Sequence, residues 1–194
     1  MADLVIVDYG AGNVKSVEFA LNRLGVKPIL SSDADVVGNA RRVIFPGVGN
    51  AEFAMDALKS KGLDAAIKDL NVPVLGICLG MQLMCTRTAE GDVEGLAIFD
   101  TVVNRFSAKD KIPHMGWNSI RTNGSPIFKG IPEKSYFYFV HSYYAECCAN
   151  TSSVCDYILP FSASLEKDNF FGYQFHPEKS GEMGERLLSN FLKL

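Results

Sequence analysis

Long apolar runs are missing from this chain. No stretch approaches the roughly 20 consecutive apolar residues that cross a bilayer. The opening Met1-Ala2-Asp3-Leu4 carries an acid where a secretory leader would carry bases. The expectation is a cytoplasmic chain with no membrane role. Surplus positive charge is also missing: 19 Lys and Arg stand against 22 Asp and Glu, a formal net charge of −3. Such a balance offers no basic face for nucleic acid and no polybasic patch for a lipid surface. Histidine is scarce, so acid–base chemistry has only His114, His141 and His176 to draw on. The five cysteines are odd in number and contain no CxxC pair, which argues against a disulfide framework and against a zinc site. No metal and no cofactor is expected. In a reducing compartment a cysteine is either core filler or chemistry, and one of the five stands apart.

What the chain does have is apolar mass. Hydrophobic residues make up 47% of 194 positions, enough for the core of a single domain spanning residues 1–194. The first half alternates strand and helix signals. Leu4-Val5-Ile6-Val7 reads as a buried strand, and Asp8-Tyr9-Gly10-Ala11-Gly12 as a turn. Asn13 caps a helix with Val14, Val17, Leu21 and Leu24 on one face, closed by Gly25. Pro28-Ile29-Leu30 and Val43-Ile44-Phe45 read as strands, the latter followed by the loop Pro46-Gly47-Val48-Gly49. A helix over about 51–61, a strand over 72–77 and a helix over 79–86 complete the series. Repeated units of this length predict an α/β fold with a mainly parallel central sheet and helices on both faces. From about residue 100 to 176 short strand runs alternate with turn residues, which predicts antiparallel additions. Tyr136–Val140 is one such strand, and 163–166 with 170–175 flank a hairpin at Lys167-Asp168-Asn169. A helix over 184–192 closes the chain.

The cysteine that stands apart is Cys78. Gly76-Ile77-Cys78-Leu79-Gly80 has the form G-x-C-x-G between a buried strand and a helix, the cysteine counterpart of a serine nucleophile elbow. The sharp turn strains the nucleophile and leaves no room for side chains two positions away. Unpaired N–H groups at a helix start favour thiolate, and the Leu79 N–H would face an oxyanion on the substrate. Cys85, Cys147, Cys148 and Cys155 lack an elbow and read as filler. A thiol nucleophile needs a base and a group that orients it. In Gln174-Phe175-His176-Pro177-Glu178, residues two apart in extended backbone share a face, so Glu178 reaches the imidazole of His176. His114 and His141 have no carboxylate at such a spacing and read as structural or contact-forming.

Gly76-Ile-Cys78-Leu-Gly80-Met-Gln82 together with His176-Pro-Glu178 resembles the class I (triad) glutamine amidotransferases, whose fold is flavodoxin-like. Asp8-Tyr-Gly-Ala-Gly-Asn13, Pro46-Gly-Val-Gly49, Pro113-His-Met-Gly-Trp-Asn118, Tyr138-Phe-Val-His-Ser-Tyr143 and the run to Ser180 narrow the likeness to the glutaminase subunits of imidazole glycerol phosphate synthases. The resemblance runs end to end. It implies a Cys78, His176, Glu178 triad that hydrolyses L-glutamine through a glutamyl thioester. It implies an oxyanion site from the Leu79 N–H and one in Gly47, Val48 and Gly49, and substrate contacts at Gln82, Ser142 and Tyr143. It implies further that ammonia passes to a separate (β/α)8-barrel cyclase, in a heterodimer making imidazole glycerol phosphate and aminoimidazole carboxamide ribotide. The resemblance also implies that Asn13, Met115, Trp117, Asn118 and Lys179 fall at or near the docking face. Two alternatives stand beside this reading: an amidotransferase serving another synthase, and a catalytically silent regulatory subunit on the same fold.

Overall fold

The computed structural model describes residues 2–10, 13–107 and 111–194. The N-terminal half runs β1 (Val5–Val7), α1 (Val14–Arg23), β2 (Ile29–Ser31), α2 (Ala34–Gly38), β3 (Val43–Gly47), α3 (Ala51–Ser60), α4 (Leu63–Lys68), β4 (Val74–Cys78) and α5 (Leu79–Leu83). Side-chain caps set the helix starts. Asn13 accepts from the Ser16 N–H, Asp33 from those of Asp35 and Val36, and Asn50 from that of Phe53. The turn expected before Asn13 reaches residues 11 and 12, which lie outside the described residues. The C-terminal half adds β5 (Cys85–Thr88), β6 (Val93–Glu94), β7 (Phe99–Arg105), β8 (His114–Thr122), β9 (Tyr136–His141), β10 (Tyr143–Ala145), β11 (Thr151–Tyr157), β12 (Leu159–Lys167), β13 (Phe170–Tyr173) and α6 (Gly181–Phe191).

The main sheet has the order β2-β1-β3-β4-β13-β12-β11-β8-β9. Its first five strands are parallel, in the order of a flavodoxin-like sheet, and the last four are antiparallel additions. Alternate residues of the parallel strands feed two separate cores. Val5, Val7, Val43, Phe45 and Val74 pack with α3 and α4 on one face. Ile6, Ile44, Leu75 and Ile77 pack with α1 and α6 on the other. Burial on both faces explains why these strands read as unbroken apolar runs.

Three features depart from the sequence reading. The helix after Cys78 ends at Leu83, not near residue 86, and β5 starts at Cys85. Thr86 and Thr88, β-branched, favour the extended form. β5 pairs with β7 in a second sheet of order β10-β7-β5-β6, which strand-by-strand periodicity did not reveal. The short helices α2 and α4 were also not foreseen; each is too brief to show a periodic face. Among the described residues no helix is long and apolar enough to cross a membrane.

The elbow is tightly packed. A Cβ on Gly80 would lie 1.9 Å from the Phe45 carbonyl oxygen, a backbone atom of β3 that has nowhere to retreat. Gly80→Ala is therefore expected to lower stability by about 3 kcal/mol. Gly38→Ala, at a helix-end position with open space around the new methyl, should raise it by about 0.5 kcal/mol. Urea denaturation midpoints at unchanged m-value measure both, and a Gly80→Ala midpoint equal to wild type contradicts the wedge.

Candidate active site

Cys78 ends β4 and starts α5 with φ 54° and ψ −110°, a strained conformation for a residue with a side chain. Gly76 is forced for the same reason as Gly80: its Cβ would meet the Met81 N and Met84 Sδ, each at 2.8 Å. Cys78 is nearly buried, at 7% exposure, and its sulfur receives an N–H from Gln174 Nε2 at 3.8 Å. Because α5 has only five residues, the helix contributes the free N–H groups of one turn rather than a developed macrodipole.

β13 lies beside β4 in parallel, with Tyr173 opposite Ile77. The chain beyond β13 therefore delivers His176 next to Cys78. His176 is extended, as the following proline requires. Its Nδ1 lies 2.8 Å from Glu178 Oε1, and the two side chains are 2% and 1% exposed. A carboxylate only accepts, so Nδ1 carries the proton there. Nε2 has no hydrogen-bond partner among the described residues, yet Cys78 is near enough to act on the charge of the ring. Burial pushes the His176 pKa down, but the negative sulfur of Cys78 and the Glu178 carboxylate outweigh it and raise it to about 10. The backbone is pinned as well: the His176 N–H donates to the Tyr138 carbonyl at 2.9 Å, and Ser180 Oγ donates to the His176 carbonyl at 2.7 Å.

A cavity of about 340 Å³ opens over the sulfur. Val48 and Gly49 line one side; Gly47 does not, and belongs to a smaller cleft behind His176 and Glu178. Leu79, Gln82, Ser142 and Tyr143 line the remainder together with His141 and Glu90. Gln82 is buried, not the solvated helix residue that its type alone would suggest. Its Nε2 donates to the Tyr143 carbonyl at 2.9 Å and to Gln174 Oε1 at 2.8 Å, leaving its oxygen uncommitted by these bonds. Glu90 and Gln174 were missed by the sequence reading. Glu90 follows a helix and a short strand, so no spacing marks it; the Ala51 N–H holds its Oε2 at 3.1 Å. Burial raises its pKa while that N–H lowers it. Gln174 had a usable signal, since it lies two residues before His176 in extended backbone.

The residues expected at a docking face divide. Met115 and Trp117 are 62% and 55% exposed on one face of β8, so they are not core packing. Trp117 meets Tyr138 edge-on, and Lys179 Nζ sits 5.9 Å from the centre of the Tyr138 ring. Asn13 and Asn118 also make bonds within the chain, as a helix cap and as a donor to the Asp156 carbonyl. Cys85 and Cys155 are buried filler, and burial pushes both thiols up, Cys155 to about 12.

The family described as glutamine amidotransferase class-I matches residues 5–194. The imidazole glycerol phosphate synthase subunit HisH of Bacteroides fragilis is 54% identical over 194 residues, covering 98% of this chain and 99% of that one. Its namesake from Yersinia pseudotuberculosis is 47% identical over 195 residues, covering 99% and 100%. Among solved structures, one described as a glutamine amidotransferase superposes with a TM-score of 0.75 at 16% identity, covering 97% of each chain. PurLQS from Thermotoga maritima gives 0.71 at 19% identity, covering 99% of this chain and 98% of its own. At those identities the structures speak for the fold alone.

The His176 shift has a sign that can be checked. A ring whose folded-state value is raised from 6.5 to about 10 stabilises the fold fully below 6.5, and the contribution fades as pH rises through about 10. NMR titration should find His176 charged past pH 8 in the intact protein. Cys78→Ser and Glu178→Gln should each titrate lower, by about one unit or more. Variants that titrate with the intact protein would refute the assigned causes.

Proposed function

The chain belongs to the class I glutamine amidotransferases, and from that premise we propose that Cys78, His176 and Glu178 are the triad with which it hydrolyses glutamine. It acts as the glutaminase subunit of an imidazole glycerol phosphate synthase in histidine biosynthesis. The observation that carries the assignment of residues is the imidazole of His176, bonded through Nδ1 to a buried carboxylate and, among the described residues, without a hydrogen-bond partner at Nε2, beside a strained elbow cysteine.

The Cys78 thiolate attacks the side-chain amide carbon of glutamine and forms a C–S bond. The carbonyl oxygen takes the negative charge, and in this reading it is received by backbone N–H groups of Leu79 and of the Val48–Gly49 segment, all of which line the cavity. The C–N bond breaks as His176 gives its proton to the departing nitrogen, so ammonia leaves and a glutamyl thioester remains. Water then gives a proton to His176 and attacks the thioester. Glutamate leaves and the thiolate returns. Gln82, Ser142 and Tyr143 hold the substrate, and the fixed carboxylate of Glu90 suits its α-ammonium group. Ammonia goes to a cyclase subunit that we take to be a (β/α)8 barrel, docked on the exposed Met115, Trp117 and Lys179. Five free cysteines fit the reducing cytoplasm.

Pull-down with a barrel cyclase, followed by a glutaminase assay with and without the cyclase's nucleotide ligand, tests the assignment. Cys78→Ala should lower the stimulated rate by about 10³-fold or more; a variant that keeps the wild-type rate removes Cys78 from the mechanism. Glu90→Gln should raise the KM for glutamine about tenfold with kcat little changed. A glutamine analogue lacking the α-amino group should be indifferent to that change, and equal sensitivity would show that Glu90 does not read the ammonium.

A further inference from the structure

His114 and His141 take no part in the triad, yet both are buried and hydrogen-bonded to each other, His114 Nδ1 to His141 Nε2 at 2.9 Å. The pair sits directly across β8 and β9, where His114 is the register partner of His141. The directions of its hydrogen bonds follow from the groups at its two ends. His141 Nδ1 lies 2.7 Å from the Tyr143 carbonyl oxygen, which can only accept, so Nδ1 is the protonated nitrogen. A neutral ring then accepts at Nε2, which makes His114 Nδ1 the donor. His114 Nε2 accepts in turn from Asn118 Nδ2 at 3.3 Å. Asn118 is itself oriented by backbone: its oxygen takes the Ser119 N–H at 2.8 Å, and Nδ2 also donates to the Asp156 carbonyl at 3.0 Å. Charging His141 would set donor against donor between the two imidazoles, and charging His114 would set its Nε2–H against the Asn118 N–H. The surroundings oppose charge as well. His114 is stacked between Tyr157 and Phe139, with ring centres 4.1 Å and 4.9 Å away. Burial lowers its pKa to about 4 and that of His141 to about 3.

The Tyr143 carbonyl is where this chain of bonds meets the cavity. Besides the His141 N–H it accepts Gln82 Nε2 at 2.9 Å. The other N–H of Gln82 goes to Gln174 Oε1, so Gln174 turns its own Nε2 toward the Cys78 sulfur. Reversing the Gln82 amide would place two oxygens against each other at Tyr143. Ser142 and Tyr143 need such a hold, because here the chain leaves β9 of the large sheet and enters β10 of the small one.

We infer that His141, oriented by His114 and Asn118, is a positioning residue for the glutamine pocket. It fixes the Tyr143 carbonyl, and through Gln82 and Gln174 that carbonyl ensures that an N–H rather than an oxygen faces the nucleophile. The kinetic consequence rests on the glutaminase reading; the hydrogen-bond directions do not.

Nitrogen-15 NMR of the intact protein at pH 7 tests the directions. Both rings should be neutral and protonated at Nδ1; an Nε2-protonated or charged His141 overturns the inference. Kinetics in the complex with the cyclase test the consequence. His141→Phe keeps the ring contacts with Phe106, Phe139 and Phe161 but has no donor. His141→Asn loses the ring but keeps an N–H close to the place of Nδ1. Positioning predicts a glutamine KM raised about tenfold in His141→Phe and less than about threefold in His141→Asn. The reverse order, with Phe close to wild type, would reduce His141 to packing and overturn the proposal. If His141→Phe does not fold, the tautomers decide. Wild-type protein that hydrolyses no glutamine with the cyclase bound would sink the glutaminase reading and again leave the tautomers to judge the positioning chain.

Discussion

The parallel pairing of β13 with β4 is the constraint on which the site depends. Phe170 to Tyr173 lie opposite Val74 to Ile77, one residue against one. Cys78 and His176 come from distant parts of the chain and meet only because both leave the same end of adjacent strands. A slip of one residue would send His176 and Glu178 to opposite faces from the ones they occupy. Several contacts at the other end of the pair hold the register. Asn169, in the hairpin before β13, donates to the carbonyls of Leu70 and Val72, and its own carbonyl accepts the Val74 N–H. The segment after β13 also protects the outer edge of the sheet. The Tyr138 N–H donates to Ser180 Oγ and the Tyr138 carbonyl accepts from the His176 N–H, so the turn that carries His176 and Glu178 covers β9 where it would otherwise be open.

Electrostatically the site is a competition that burial loses. A buried imidazole prefers to be neutral, and two negative neighbours are needed to keep it charged. Three other features of the site work against stability. Among the described residues Glu178 Oε2 and His176 Nε2 are buried without hydrogen-bond partners, and Cys78 sits at positive φ. Such costs, of about 1–3 kcal/mol each, persist only when the surroundings over-determine the geometry. The surroundings do so: β3, β4 and β13 are buried throughout, and the elbow is wedged between backbone atoms.

What the sequence made legible follows from the range of each signal. The parallel half was readable because strands buried on both faces appear as unbroken apolar runs between capped helices. The glycines of the elbow and the alternation through His176 and Glu178 are local patterns, and they fixed the triad candidates. The second sheet was not readable, because β5, β6 and β10 are four, two and three residues long and acquire their form from pairing. Glu90 was missed for a related reason: its place at the cavity comes from β5 and from the N-terminus of α3, which meet only in the folded chain. Asn118 could be assigned to the surface from sequence, but not to the bonds that turn it inward.

β8 shows how one strand serves two tasks. Its side chains alternate, so Met115 and Trp117 stand in solvent while His114 and Asn118 point to the buried face. The exposed pair offers apolar area to a partner; the buried pair orders the hydrogen bonds that reach Tyr143. A cyclase seated on Met115 and Trp117 would press on the strand that also holds His114. From His114 the path to the cavity is a single cross-strand pair, His114 with His141, followed by one carbonyl. No side chain along that path needs to change charge for a shift of β8 to be felt at Gln82. A small displacement is enough to lengthen bonds that already lie at 2.7–2.9 Å. The exposed Met115 and Trp117 of β8 and the cavity-lining His141 of β9 are thus carried by one pair of adjacent strands, so a partner seated on the proposed docking face would bear on the strand paired with the one that leads into the pocket.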